Sequence, residues 1–207
     1  YDIMPSLVGS EMCIRDSVLE IRETANFDIK DIDYDIRIVD SPTEVRDLII
    51  ETNRAHNHSR ILAGYCWEWI KSGKNDSSVH DIKIDDFEMS WNLGNTTTFA
   101  IDEDSVNEVG CIHTSQGLEF DYAGVIIGDD MRFENGHIVT DFTKRAKTDQ
   151  SLKGIKKLYK ENPQYALKEA DEIIKNTYRT LMTRGMKGCY VYCTDSNLAH
   201  YLRERLE

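Results

Sequence analysis

The chain has 207 residues, a formal net charge of -12, 40% apolar and 30% charged residues. That length supports a single domain with a core of its own, and no apolar run reaches the roughly 20 residues a membrane span needs. The acidic balance argues against a sequence-blind nucleic-acid binder, though not against a local basic path, and five cysteines, an odd number without paired CxxC spacing, give no metal site.

The first stretch, Tyr1 to Ser17, contains SLVGSEMCIRDS, which resembles translated sequencing-adapter sequence. It is set aside as a non-native leader, and the native chain is expected from Val18, where VLEIRETANFD reads as the end of a helix. Asp35 to Asp40 alternates as a strand. Ser41 then offers an N-cap with Pro42 at the first helical position. Val45, Leu48, Ile49 and Thr52 give that helix an apolar face, and it should end near Asn57. Arg60 to Trp67 reads as the next buried strand, so this strand-helix-strand unit implies a parallel sheet. Ser72 to Asp76 is a turn. Its Gly73-Lys74 pair lacks the earlier glycine and following Ser/Thr of a phosphate loop. Asp81 to Leu93 has no clear period and is expected to be irregular, with a short strand at Phe99 to Ile101.

The centre of the chain is Val109 to Asp129, VGCIHTSQGLEFDYAGVIIGD. Gly110 to Ile112 leads in, and Tyr122 to Ile127 leads out as a β-branched run suited to a strand covered on both faces. Between them, His113 to Phe120 carries more hydrogen-bonding side chains than a connection requires. Gly128 to Thr140 reads as a loop and hairpin about Asn135-Gly136. Phe142 to Lys160 is basic, with Lys144, Arg145, Lys147, Lys153, Lys156, Lys157 and Lys160. Such a run serves as a solvated helix face or as a path for phosphates. Glu161 to Met186 is a long helix interrupted near Pro163, with Leu167, Ala170, Ile173, Ile174, Thr177 and Leu181 on its apolar face. Gly185 and Gly188 mark its end, Cys189 to Cys193 is the last strand, and Leu198 to Leu206 a closing helix. Cys189 and Cys193 would lie about 13 Å apart along that strand, too far for a disulfide. Cysteines in apolar runs suggest buried thiols in a reducing, cytoplasmic setting.

Two stretches resemble superfamily 1 helicase motifs. His113-Thr114-Ser115-Gln116-Gly117-Leu118-Glu119-Phe120 is similar to the fifth motif, and Thr183-Arg184-Gly185, at a helix end before a strand, to the sixth. The chain also resembles bacterial helicase-like proteins akin to the helicase domain of group 3 Schlafens, over Val18 to Glu207. It implies an α/β, RecA-like single lobe with a mostly parallel sheet and flanking helices. It further implies the second half of an ATP-dependent DNA or RNA helicase or translocase, whose partners are single-stranded DNA or RNA and its own N-terminal lobe.

By that resemblance Gly117 and Glu119 approach the nucleotide, Glu119 near the ribose, and Arg184 reaches the γ-phosphate as the catalytic arginine. Arg179 is a second phosphate contact. His113, Thr114, Ser115 and Gln116 contact the nucleic-acid backbone, joined by Lys153, Lys156 and Lys157. ATP and Mg²⁺ are the implied cofactors, held mostly by a phosphate loop and acidic motif absent from this chain, so the isolated chain is expected to be inactive. The family's upstream arginine motif is replaced by the adapter-like stretch. Read singly, His113 suits a core histidine, Glu119 a surface ion pair, and Arg184 a helix-end pair favoured by the dipole. The other functions open to the fold are a docking lobe without turnover and a nucleotide-gated regulatory switch. His56-Asn57-His58 spells a nuclease label without the required ligands. Trp67, Trp69 and Trp91 have the shape to stack a base, though core packing is the expected use of the first two.

Overall fold

A computed structural model of the protein describes residues 34–70, 76, 78–93 and 98–206. The leader, the expected helix end after Val18 and the Gly73-Lys74 turn lie outside the described residues.

β1 (Asp35–Ile38) leads into α1 (Pro42–His56). Ser41 is extended, and its hydroxyl accepts the Glu44 N–H at 3.1 Å. Glu44 reaches back to the Asp40 N–H at 3.2 Å, so local hydrogen bonds fix where the helix begins. Asn57 ends it in the left-handed region at φ 47. β2 (Ser59–Ala63) follows and is buried throughout. It stops at Gly64 rather than running on to Trp67, because the chain there passes the Tyr178 hydroxyl so closely that a Cβ would sit 2.2 Å from it.

The segment expected to be irregular is a hairpin, β3 (Ile82–Ile84) and β4 (Phe87–Trp91). Its two-residue turn uses Asp85 at φ 50 without the glycine that usually signals one. Residues 99–101 are not a strand. The Phe99 and Ala100 carbonyls accept from the Arg60 guanidinium, at 2.8 and 3.1 Å, and so are diverted from any ladder. A 3-10 turn (Glu103–Asn107) and β5 (Glu108–Gly110) come next.

β6 (Phe120–Ile127) is the apolar run, and β7 (Met131–Glu134) and β8 (His137–Thr140) form the hairpin about Asn135-Gly136, both at positive φ. A second 3-10 turn (Phe142–Lys144) precedes α2 (Ile155–Glu161) and α3 (Pro163–Met182), which Pro163 separates. On α3 the buried face takes Ala166 and Tyr178, while Leu167 points to solvent. β9 (Gly185–Cys193) and α4 (Ser196–Leu206) close the chain.

The seven-stranded sheet has the order β1-β9-β6-β2-β5-β4-β3 and is parallel except at the β3–β4 hairpin. Side chains alternate along β6 to serve two cores. Val125 and Ile127 face the layer of α3 and α4 with Ala170, Ile174, Leu181, Leu198 and Leu202. Ile126 faces α1 with Val45 and Ile49, and Gly124 lets α1 pack close, since a Cβ there would lie 2.6 Å from Val45. The protein is therefore an α/β lobe with a mostly parallel sheet flanked by helices, the architecture expected of a RecA-like lobe. Cys111, Cys189 and Cys193 are buried free thiols, and Cys66 is a half-buried one. No helix among the described residues is long and apolar enough to cross a membrane.

Arg60 is 0% exposed and forms no ion pair with a described acid. Its guanidinium instead donates to the Ser59, Phe99, Ala100 and Asp102 carbonyls, to Asn53 and Asn57 Oδ1, and to Ser105 Oγ. Burial lowers its pKa, opposed by the charges of Asp102 and Glu108. One side chain thus joins the end of α1 to residues 99–105. Arg60→Met should cost at least about 3 kcal/mol, because it strands several buried acceptors at once. Urea unfolding at unchanged m-value measures this, and a loss under about 1 kcal/mol would show that the acceptors reach water.

Candidate functional site

The loop Cys111 to Glu119 leaves the carboxyl end of β5 and returns to the amino end of β6. It is a compact coil: the Ser115 N–H donates to Cys111 O at 3.0 Å, and Leu118 N–H to Ser115 O at 3.0 Å. Gly117 sits at φ +74 with nothing within 4 Å of where a Cβ would be, a left-handed corner open to its surroundings. Thr114 and Ser115 are buried. The Thr114 hydroxyl meets Asn92 Oδ1 and the Cys111 thiol, and Ser115 Oγ donates to Cys111 O at 3.1 Å. These two residues hold the loop's shape. What the loop presents outward is His113, Gln116, Gly117 and Glu119, all exposed. The His113 ring stands edge-on to Tyr65, centroids 5.9 Å apart.

Arg184 lies just beyond the C-cap of α3. Its Nε donates to Thr180 O at 3.2 Å and its Nη1 to Leu118 O at 3.2 Å, while its own carbonyl accepts the Phe120 N–H at 2.7 Å. The structure thus brings together the loop and the arginine that sequence singled out. They meet at the amino ends of β6 and β9, not at the carboxyl edge where ligands of open α/β sheets usually collect. The carbonyl of Arg179, one turn earlier on α3, accepts the Thr183 N–H at 3.0 Å.

Two glycines shape this edge. A Cβ on Gly185 would lie 2.0 Å from Gly188 O, and one on Gly188 would lie 2.4 Å from Asp35 O. The strand therefore begins at Gly185, four residues earlier than the apolar pattern suggests, with the pairing to β6 shifting register between Phe120 and Tyr122. Beside it, Lys187 Nζ lies 2.7 Å from Asp121 and His58 lies 3.5 Å from it. Burial pushes the Asp121 carboxyl up, but these two partners outweigh it and leave the group below its ordinary value.

The carboxyl edge holds a network that sequence reasoning missed. Asp130 and Arg145 are buried with Asp149. Arg145 pairs with Asp130 at 2.9 Å and with Asp149 at 2.7 Å. Tyr178, fully buried, donates its hydroxyl to Asp130 and accepts the Gly128 N–H at 3.0 Å. Burial and the Asp130 charge push the Tyr178 phenol well up. The available signal was an acid three residues after an apolar strand, whose partners lie 15 to 48 residues away in sequence.

Beside this network is a cleft of about 620 Å³, bordered by the ends of β2, β6 and β9, the β3–β4 tip, residues 143–147 and Lys156. Lys153 stands outside it, in an adjoining cleft of about 290 Å³. Lys157 lines neither and lies 3.9 Å from Glu161. Half-buried Trp67 and Tyr192 line the larger cleft. Trp91, the tryptophan left open to base stacking, is 1% exposed and packs 4.7 Å from the Tyr65 ring.

A family model described as Schlafen group 3, DNA/RNA helicase domain, matches residues 12–195. Among curated proteins the chain is similar to the uncharacterized protein YPL245W of Saccharomyces cerevisiae, 29% identical over 195 residues. That match covers 92% of this chain and 40% of the yeast protein, so the chain spans well under half the length of this relative. No solved structure gives a significant match.

Proposed function

The chain belongs to the Schlafen group 3 DNA/RNA helicase-domain family, and from that premise we propose that it is the second RecA-like half of an ATP-dependent superfamily 1 helicase or translocase. One observation carries the reading. The guanidinium of Arg184 bonds the loop at Leu118 O, and the Phe120 N–H bonds Arg184 O, so the elements resembling the fifth and sixth motifs form one edge.

That edge suits an anionic nucleotide. Arg184 keeps N–H groups that no described residue engages, and a planar, permanently charged fork suits phosphoryl oxygens. Gly117 leaves open space beside its backbone, and exposed Glu119 can accept from ribose hydroxyls. Arg179 sits one helical turn away as a further phosphate contact. In this reading His113 and Gln116 face the nucleic-acid backbone, and Thr114 and Ser115 act by holding them in place. Among the described residues no group of three or more His, Cys, Asp or Glu has the arrangement of a metal site. In this reading magnesium is assigned to the phosphate loop and acidic motif of the other lobe, as the helicase resemblance implies. The acid-poor loop and the arginine supply orientation and positive charge, the part of phosphoryl transfer assigned here to this chain. A cytoplasmic setting fits the free thiols.

The test compares the chain alone with a full-length protein that contains it. The chain alone should show no ATP turnover, and the full-length protein should show turnover that single-stranded DNA or RNA stimulates. Turnover by the chain alone would overturn the half-motor reading. A full-length protein that binds nucleic acid without turnover would make this a docking lobe.

A further inference from the structure

We propose that single-stranded nucleic acid runs along the carboxyl edge of β2, β6 and β9, with its phosphates on the wall built by Lys144, Lys147, Lys153 and Lys156 and an unpaired base against Trp67. This rests on the helicase reading above and adds a path separate from the central loop.

The first observation is which cations have partners. In a protein of net charge -12 acids are plentiful, and several exposed cations elsewhere take them: Arg37 with Asp35, Lys83 with Glu88, Lys168 with Glu172, Lys187 with Asp121. None of Lys144, Lys147, Lys153 and Lys156 makes an ion pair among the described residues, although all four are exposed on one short segment. Cations left without acids on an acidic surface are free to take an external polyanion.

The second observation is that the lysines are spread over two clefts. Lys147 and Lys156 line both, Lys144 lines the larger alone and Lys153 the smaller alone. Cations spread over two adjoining clefts suit a repeating phosphate chain better than one small anion. Arg145 fixes this segment, because its guanidinium is held by Asp130 and Asp149. The Ala146 N–H adds a bond to Tyr65 O at 2.7 Å. The side chains of Lys144 and Lys147 thus project from a pinned backbone, which limits the ordering cost of binding.

The third is the rest of the lining of the larger cleft. Asp85 and Asp129 line it with Trp67 and Tyr192, and Glu68 accepts the Lys147 N–H at 2.9 Å. Lys83, also there, lies 3.2 Å from Glu88. Carboxylates repel phosphates and accept from base amino groups, and an indole offers a stacking face. Phosphates are thereby drawn to the lysines and an unpaired base to the indole. A duplex keeps its bases stacked inside and presents none to Trp67, so the ligand is a single strand.

The experiment is fluorescence anisotropy of labelled oligo-dT and oligo-U with full-length protein over a range of salt. Lys144→Gln, Lys147→Gln and Lys156→Gln together should weaken binding at least about tenfold and make the log–log salt slope shallower by about 2. The charge-matched control, Lys157→Gln with Lys160→Gln and Lys168→Gln, should leave both nearly unchanged. Trp67→Ala should weaken binding about tenfold without altering the slope, and Trp67→Phe should restore most of the loss. Equal behaviour of the two lysine triples would overturn the path. If His113→Ala with Gln116→Ala abolishes binding while the cleft triple binds normally, the strand lies on the loop, and this proposal falls while the helicase reading stands. Absence of binding to either oligonucleotide would remove both.

Discussion

Arg184→Ala in the full-length protein is expected to cut ATP turnover by at least about 10²-fold, and by as much as ~10³–10⁵ if the arginine acts fully on the transferring phosphoryl group. The upper range corresponds to roughly 4–7 kcal/mol of barrier. The loss should fall on kcat with little change in KM for ATP, because the guanidinium meets charge that develops in the transition state. Arg184 is half-buried and donates to Leu118 O and Thr180 O, so its removal should cost about 1–2 kcal/mol at roughly 1 kcal/mol for each bond. A protein destabilised that much remains folded in a stable domain, so the rate loss would stand apart from misfolding. Arg184→Lys should not restore turnover, since an ammonium can occupy only one of the fork's positions. Normal kcat in Arg184→Ala, or a loss of turnover that tracks the unfolded fraction through a urea titration, would leave Arg184 as a clasp for the loop.

The parts of this protein legible in sequence are those where the determinant is local. Ser41, Pro42 and Glu44 set the start of α1 by bonds within a few residues, and Asn57 sets its end. The run Tyr122 to Ile127 is apolar at every position because both faces of β6 are covered, and that is readable without knowing what covers them. Asn135-Gly136 supplies its own turn. The central loop and the Thr-Arg-Gly turn were legible as motifs, but the edge of the sheet they share was not. Which edge depends on the loop doubling back along the sheet between β5 and β6.

The illegible parts depend on partners distant in the chain. Residues 99–101 look like a strand until Arg60 takes their carbonyls from 39 to 40 positions away. Leu167 fits the helical period but lies outside the face that reaches the sheet, and Ala166 takes its place. Trp91 looks available until the aromatic ring of Tyr65 covers it. The basic run 142–160 reads uniformly in sequence. Folding splits it into a buried arginine, lysines that line the two clefts, and a lysine, Lys157, beside Glu161.

The buried arginine of that run carries the largest expected effect on stability. Asp130→Ala should cost about 3–5 kcal/mol, because it leaves Arg145 buried with half its counter-charge and takes the acceptor from Tyr178. Asp130→Asn keeps the shape and an acceptor but not the charge, and should cost less, about 2–3 kcal/mol. The hydroxyl of Tyr178 bridges Asp130 and the Gly128 N–H, so Tyr178→Phe should cost about 1–2 kcal/mol. Removing both ends of the pair, Asp130→Ala with Arg145→Met, should cost clearly less than the sum of the two single changes, since no buried charge is then left facing Asp130's place. Urea unfolding of the four proteins in that double-mutant cycle, Arg145→Met included, measures the coupling. A coupling energy near zero would mean that water reaches the site and the charges do not depend on each other. A large coupling would establish the network as the anchor of residues 143–149, and Asp130→Asn should then also weaken single-strand binding. It touches no nucleic acid itself, but it would release the backbone that holds Lys144 and Lys147 in place.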